Sequence, residues 1–292
     1  MKIKINSKAS FVEIDTLGAQ LVSFSDAEST QYLWQGDTEH WSGQAPILFP
    51  IVGALRGGKA KIDGKEYFMG RHGFARKMEF RCVTTTDDSA TFSLSANEET
   101  RRQYPFDFHL TVTYRLNDCT LTTEFTIMNM GDKPMPFVIG GHPAFNCPIL
   151  PGESFENYVV EFEKNETVDC PSLDMKTGLI DFSNKTHCLK NEKVIALQHS
   201  LFDRDALVFD HPQSSKVKLL SRLSGRGVEM DFGGFDYLGV WSALNEAPFV
   251  ALEPWTGCAT CTDEDDWMLH KRGMKVLEPN QSAKHSFSIT IL

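Results

Sequence analysis

The chain has 292 residues, of which 41% are hydrophobic and 23% charged, enough for a large folded core and against long disordered segments. Its 29 basic and 39 acidic residues leave a formal charge of −10, so the basic footprint needed for nucleic acid or an anionic membrane is missing, and a small, largely neutral ligand fits better. Seven scattered cysteines suit reduced thiols better than a disulfide framework, which makes the cytoplasm the expected location.

From the N-terminus the hydrophobic period is two. KIKIN, SFVEID and QLVSFSD read as short strands with turns at Asn6 to Lys8 and near Leu17 to Gly18. The N-terminal segment lacks the continuous apolar core of a signal peptide. The most apolar stretch, Ala45 to Leu55, is 11 residues long and holds Pro46 and Pro50, so no bilayer span is expected. Asp63-Gly64 sits between alternating runs and supplies the positive φ angles of a two-residue hairpin. Further hairpins are expected around Asp87 to Ser89 and Asn117-Asp118, with one helical turn between them capped by Asn97. Late in the chain, Val217 to Leu220 pairs with Gly227 to Phe232, and Lys275 to Leu277 pairs with His285 to Leu292. Many short strands, frequent turns and little helix predict an all-β fold of antiparallel sheets packed face to face. No Pro/Gly/Ser linker divides the chain, so residues 1–292 are expected to form one domain, as a monomer or homodimer.

Two stretches carry chemistry. FVIGGHPAFNCP (Phe137 to Pro148) runs an extended apolar segment into His142, where Val138, Gly140 and His142 share one face. The two glycines leave room for something to approach, and Pro143 ends ladder pairing. FVALEPWTG (Phe249 to Gly257) repeats the device with a carboxylate: Phe249, Ala251 and Glu253 share a face, and Pro254 stops the strand. Desolvation on that face raises the carboxyl pKa toward the range where a general base works best. Either stretch alone reads as a strand end reaching water, but together they suggest an acid and base pair. Trp255 adds a flat apolar surface of the kind that packs on the C–H face of a sugar. His72 in RHGFAR and Asp205 in LFDRDALVF are weaker candidates; each is also readable as a surface or turn residue. Arg71 and Arg76, flanking His72, could grip a phosphate or simply be solvated. The spacing of the histidines does not seed a metal site. Cys258 and Cys261 form a lone CxxC, read as two thiols behind Trp255. The acidic run Asp263 to Asp266 reads as a solvated loop. No GxxxxGK, GxGxxG or GxSxG motif is present.

YLWQGD, LFPIVG, YFMGRHGFAR, GGHPAFN, the Asp205 strand, LEPWTG and a final strand after EPNQSAK together resemble the aldose 1-epimerase family, most closely its branch found with lactose operons in lactic-acid bacteria. The resemblance implies a large antiparallel β supersandwich, no metal or organic cofactor, and interconversion of the α and β anomers of a free aldose. It places the general base on Glu253, the general acid on His142, the second active-site histidine on His72 and a hydroxyl-binding aspartate on Asp205, with Asp203 as an alternative. Charged imidazolium at His142 and activity plateauing near neutral pH follow from those roles. One departure stands out: many members carry an arginine in a segment like FPIVGRL, where this chain has Ala54, and Arg56 or Arg71 could substitute for it. Two other readings stay open, a hexose-6-phosphate 1-epimerase and a catalytically silent sugar-binding protein on the same fold.

Overall fold

The computed structural model describes residues 1–292 and is built almost entirely of antiparallel strands. A nine-stranded sheet runs in the order Ile180–Ala196, Tyr158–Leu173, Lys216–Ser221, Gly227–Asp231, Ser282–Ile291, Thr120–Asn129, Phe108–Asn117, Ser89–Ser95 and Arg81–Thr85. Facing it is a six-stranded sheet of Leu207–Asp210, Tyr237–Trp241, Phe249–Trp255, Gly140–Gly141 and Ile47–Leu48, with Ala144–Asn146 also pairing on Phe249–Trp255. Period-two alternation explains how the layers meet. Leu121, Phe125 and Ile127 of one sheet, and Val250, Leu252 and Leu238 of the other, point into a single core. Phe162 and Phe209 bridge the layers with ring centroids 4.8 Å apart. The three strands expected at the N-terminus, Lys2–Asn6, Ser10–Asp15 and Gln20–Asp26, form a three-stranded sheet of their own.

Local turn chemistry behaves as the sequence predicts. Asp63 (φ 49°) and Gly64 (φ 77°) close the hairpin between Lys59–Ile62 and Lys65–Phe68. Asn97 caps the helix Glu98–Gln103 by accepting from the Thr100 amide. The Asn117-Asp118 turn lies one residue further on, with Asp118 at φ 49° and the partner strand starting at Thr120.

Two expectations are corrected. Lys275–Leu277 does not pair with the C-terminal strand; it pairs with Met135–Phe137, while Ser282–Ile291 inserts between Thr120–Asn129 and Gly227–Asp231. Asn129 enforces the split, its amide Nδ2 donating to the Leu277 carbonyl and its backbone carbonyl accepting from the Asn280 amide. Pro254 does not end its strand, which continues to Trp255. The amides of Leu252 and Thr256 donate to the carbonyls of Pro143 and Ile139, and the N–H that Pro254 lacks falls between them, opposite Gly141 at the edge of the gap between Gly140–Gly141 and Ala144–Asn146. The long strands Tyr158–Leu173 and Ile180–Ala196 pair with four register shifts along their length.

Gly64 and Gly73 provide a direct test of turn chemistry against packing. Both have positive φ, 77° and 72°, but a side chain at Gly64 meets open space whereas one at Gly73 falls 2.2 Å from the Phe49 carbonyl oxygen. Gly64→Ala should cost about 1–2 kcal/mol for the left-handed backbone, and Gly73→Ala clearly more, with equilibrium urea unfolding as the measurement. Equal costs would mean that the contact with Phe49 relaxes freely.

Candidate active site

The site is built on Phe249–Trp255, all seven residues of which are buried. Val250 and Leu252 enter the core between the sheets, and the alternate residues Phe249, Ala251, Glu253 and Trp255 face the other way. Glycines on both neighbouring strands admit the Trp255 ring: a side chain at Gly140 would lie 2.7 Å from it, and one at Gly239 2.6 Å. A side chain at Gly141 would meet Phe287 at 2.9 Å. The space left by the two glycines before His142 is thus filled by this chain's own rings.

His142 projects from the gap between Gly140–Gly141 and Ala144–Asn146, its amide held by the Pro46 carbonyl at 3.1 Å. His72 sits in a loop whose backbone is clamped to Gly53: the His72 amide donates to the Gly53 carbonyl at 2.8 Å, and the Gly53 amide donates to His72 Nδ1 at 3.1 Å. Nδ1 is therefore an acceptor, which leaves the proton on Nε2 as a donor. His72 (φ 66°) and Asp205 (φ 74°) both hold left-handed backbone conformations, a costly geometry for residues with side chains that concentrates at functional sites.

These side chains converge on one cavity of about 420 Å³. Glu253, His142, His72, Asp205, Arg71, Arg76 and Trp255, the residues singled out in the sequence, all line it. Asp203 does not; it lines an adjoining cavity of about 430 Å³ that shares Leu173, Asp205 and Ala206 with the first. Of the two arginines that could stand in for the one absent at Ala54, Arg56 is committed elsewhere, to Asp266 and the carbonyls of Cys261, Thr262 and Glu264. Arg71 reaches the cavity and pairs with Asp205 at 3.2 Å. Cys258 and Cys261 pack against Trp255, Val138 and Ile180 behind the cavity. Nowhere do three or more His, Cys, Asp or Glu side chains converge as metal ligands.

At the centre, His142 Nε2 lies 3.3 Å from Glu253 Oε2. The angle is too poor for a hydrogen bond, so Oε2 has no partner. Burial pushes the Glu253 carboxyl well above the usual carboxylate range, reinforced by the charge of Asp205 and opposed by Arg71. Burial also lowers His142, to about 3; its own backbone opposes the shift, and the positive charges of Arg71 and Arg76 reinforce it. His72 is likewise held well below the ordinary histidine value by burial. Both shifts run toward a neutral imidazole and a protonated carboxyl in the empty cavity, the opposite of the charges the acid and base roles require during reaction.

Sequence reading missed His40, Trp41 and Trp241. The segment Asp37 to Gly43, polar and turn-like, carries His40 and Trp41 to the cavity. The indole of Trp41 stacks on His142 with centroids 4.7 Å apart and 24° between planes, and Trp241 meets His142 edge to face at 5.3 Å. The one available signal was a large aromatic residue in a stretch of otherwise polar, turn-forming residues.

The sequence model of the family described as aldose 1-epimerase matches residues 1–265. The plasmid-borne and chromosomal LacX proteins of Lactococcus lactis subsp. lactis are each 42% identical over 298 residues, covering both chains completely. A galactose mutarotase related enzyme from Lactobacillus acidophilus superposes with a TM-score of 0.95 at 34% identity, covering 100% of this chain and 97% of the other. A galactose mutarotase-like protein from Lactobacillus casei ATCC 334 superposes with a TM-score of 0.92 at 29% identity, covering both chains fully.

The depressed His142 has a consequence for stability. The unfolded chain gains a proton at this residue as pH falls through 6.5, the native state only near 3, so native stability declines across that window by at most about 1.4 kcal/mol per pH unit. His142→Asn lacks this contribution. Its stability relative to the parent should therefore improve by roughly 2 kcal/mol between pH 7 and pH 5 in urea unfolding. Parallel stability curves would mean that His142 is not desolvated.

Proposed function

The chain belongs to the aldose 1-epimerase family, and on that premise we propose that it interconverts the α and β anomers of a free aldose by acid–base ring opening and closure in this cavity. The observation that carries the reading is where unpaired polar atoms lie. Six buried side-chain polar atoms lack a hydrogen-bond partner, and all but His199 Nδ1 belong to residues lining the cavity: His40 Nδ1, Arg76 Nε, His142 Nδ1, Glu253 Oε2 and Trp255 Nε1. Apart from His199, buried side-chain polar groups elsewhere are satisfied, as folding normally requires. Glu166, as buried as Glu253, accepts from the amides of Gln213 and Ser214 and from the Ser214 hydroxyl. Buried Lys271 donates to Thr260 and Glu264. A concentration of unmet donors and acceptors beside an apolar ring suits a ligand dense in hydroxyl groups.

In the reaction, a base takes the proton of the anomeric hydroxyl, the ring C–O bond breaks, and an acid protonates the freed ring oxygen. The aldehyde rotates and the steps reverse on its other face, so no electrons are exchanged and no proton is consumed. Glu253 and His142 share one proton. Moving it from the carboxyl to Nε2, once a small side-chain rotation aligns the 3.3 Å contact, yields the carboxylate base and imidazolium acid that the family resemblance implies. Hydroxyl donors from a bound sugar favour that transfer by supplying Oε2 with the partners it lacks. His72 Nε2–H is oriented to stabilise oxygen as charge shifts. Each acid or base contributes typically about 10²–10⁴-fold.

A second reading, a hexose 6-phosphate as substrate, is favoured by one observation: Arg76 Nε is buried and unpaired. Against it, Arg71 is engaged with Asp205, and an Arg76 Nη2 atom donates to the Arg71 carbonyl at 3.1 Å. Neutral aldoses are therefore the expected substrates.

Polarimetry on freshly dissolved α-glucose or α-galactose should show accelerated mutarotation that Glu253→Gln and His142→Asn each reduce by about 10²-fold or more; full activity in either would exclude the assignment, and EDTA should leave the rate unchanged. The pH profile should be flat through neutrality. Its acid limb should lie well below 6.5, because the pair gains a second proton only where His142 titrates, at about 3 in the free protein. NMR exchange measurements on glucose, galactose and their 6-phosphates address the substrate. A kcat/KM at least about tenfold higher for a phosphate, collapsing in Arg76→Ala, would replace the neutral-sugar reading.

A further inference from the structure

The reaction above requires His142 to carry a positive charge for part of each cycle, yet little around it favours one. The titratable and charged groups facing it are Glu253, with Oε2 at 3.3 Å from Nε2, His72, with ring centroids 5.6 Å apart, and the guanidinium groups of Arg71 and Arg76. Among these groups only Glu253 can favour an imidazolium, and the one further push toward the charged form comes from His142's own backbone. Asp205 acts one step further away, through Glu253 and Arg71. His142 Nδ1 has no hydrogen-bond partner. What covers the imidazole is aromatic: Trp41 lies flat against it, and Trp241 closes an edge.

That stacking is built into the loop. The backbone carbonyl of Trp41 accepts from the Trp34 indole N–H at 2.8 Å, and its amide donates to the Asp37 carbonyl at 2.9 Å. Gly43 bends back beneath the ring; a side chain there would sit 2.4 Å from the indole. Trp241 and Phe249 pack against Trp41 at centroid distances of 5.4 and 5.7 Å. The indole can neither swing away nor slide without breaking these contacts. A cation stacked on an indole face within about 6 Å is attracted by the ring quadrupole, most strongly where water is excluded.

We propose that Trp41 is a positioning residue for proton transfer, its stacked indole stabilising the imidazolium form of His142 and holding Nε2 beside Glu253. The effect on rate rests on the mutarotation reading; the effect on the protonation of His142 does not. The experiment therefore has two arms. In protein labelled with ¹⁵N-histidine and saturated with galactose at pH 7, ring nitrogen shifts report the charged fraction of His142, assigned by its disappearance in His142→Asn. In parallel, kcat and KM are measured for the parent, Trp41→Phe and Trp41→Leu, with urea midpoints confirming that each is folded. Trp41→Leu should lower the charged fraction and reduce kcat by roughly 2- to 30-fold, with KM changed less. Trp41→Phe, which keeps a π face, should recover most of both. The proposal is overturned if Trp41→Leu leaves the protonation of His142 unchanged, or if Trp41→Phe is as impaired as Trp41→Leu in both readouts. Full activity in His142→Asn would remove the mutarotation reading instead, leaving the labelled spectra to decide the role of Trp41. Should Trp41→Leu fail to fold, comparison of Trp41→Phe with Trp41→His, which exchanges the π face for a second titratable ring, decides it: Phe should preserve the charged fraction and His should lower it.

Discussion

A strand buried on both faces cannot carry a carboxyl group without consequence. Glu253 occupies such a strand, and desolvating its charge in the absence of donors costs more than any single contact there returns. Burial favours the protonated form of the group, and His142 Nε2 lies 3.3 Å from its Oε2. Other features follow from the same arrangement. Gly140 and Gly239 are glycines because Trp255 must lie across both neighbouring strands, and the ladder breaks at His142 so that one imidazole can leave the sheet. Pro254 falls opposite Gly141, beside that break, and has no N–H to be stranded there.

The mouth of the cavity follows a different electrostatic logic from its floor. Arg71 and Asp205 form an ion pair in which the arginine side chain is 49% exposed and the aspartate 13%. Pairs with one partner this accessible contribute little and separate readily, so the Asp205 carboxylate can leave its guanidinium at small cost. The strained backbone at Asp205 and His72 fixes where these side chains point even when the cavity is empty. The floor is thus neutral and rigid, and the mouth is charged and exchangeable.

Much of this was readable from the chain, because the determinants were local. Alternation placed Val138 and His142 on one face and Phe137 and Ile139 on the other, and Asp63-Gly64 and Asn97 acted through their own turn chemistry. What escaped was non-local. The partner of Lys275–Leu277 is 138 residues away at Phe137 (275 − 137), and nothing in either segment encodes that pairing. The charge preference of His142 was not legible because a sequence shows which residue titrates, not how completely its surroundings exclude water. Trp41 was missed for a related reason: an aromatic ring in a polar loop gains meaning only from what it stacks on.

The paired strands Tyr158–Leu173 and Ile180–Ala196 place a 17-residue strand at the outer border of the larger sheet. An exposed border of that length would ordinarily invite another chain to add on and start an assembly without end. Here the register slips repeatedly along the pair, and Lys185, Lys190 and Lys193 punctuate its outer strand. The slips and lysines deny an incoming strand both a continuous row of backbone partners and a neutral surface to lie against, so the sheet can grow wide without becoming a template for aggregation.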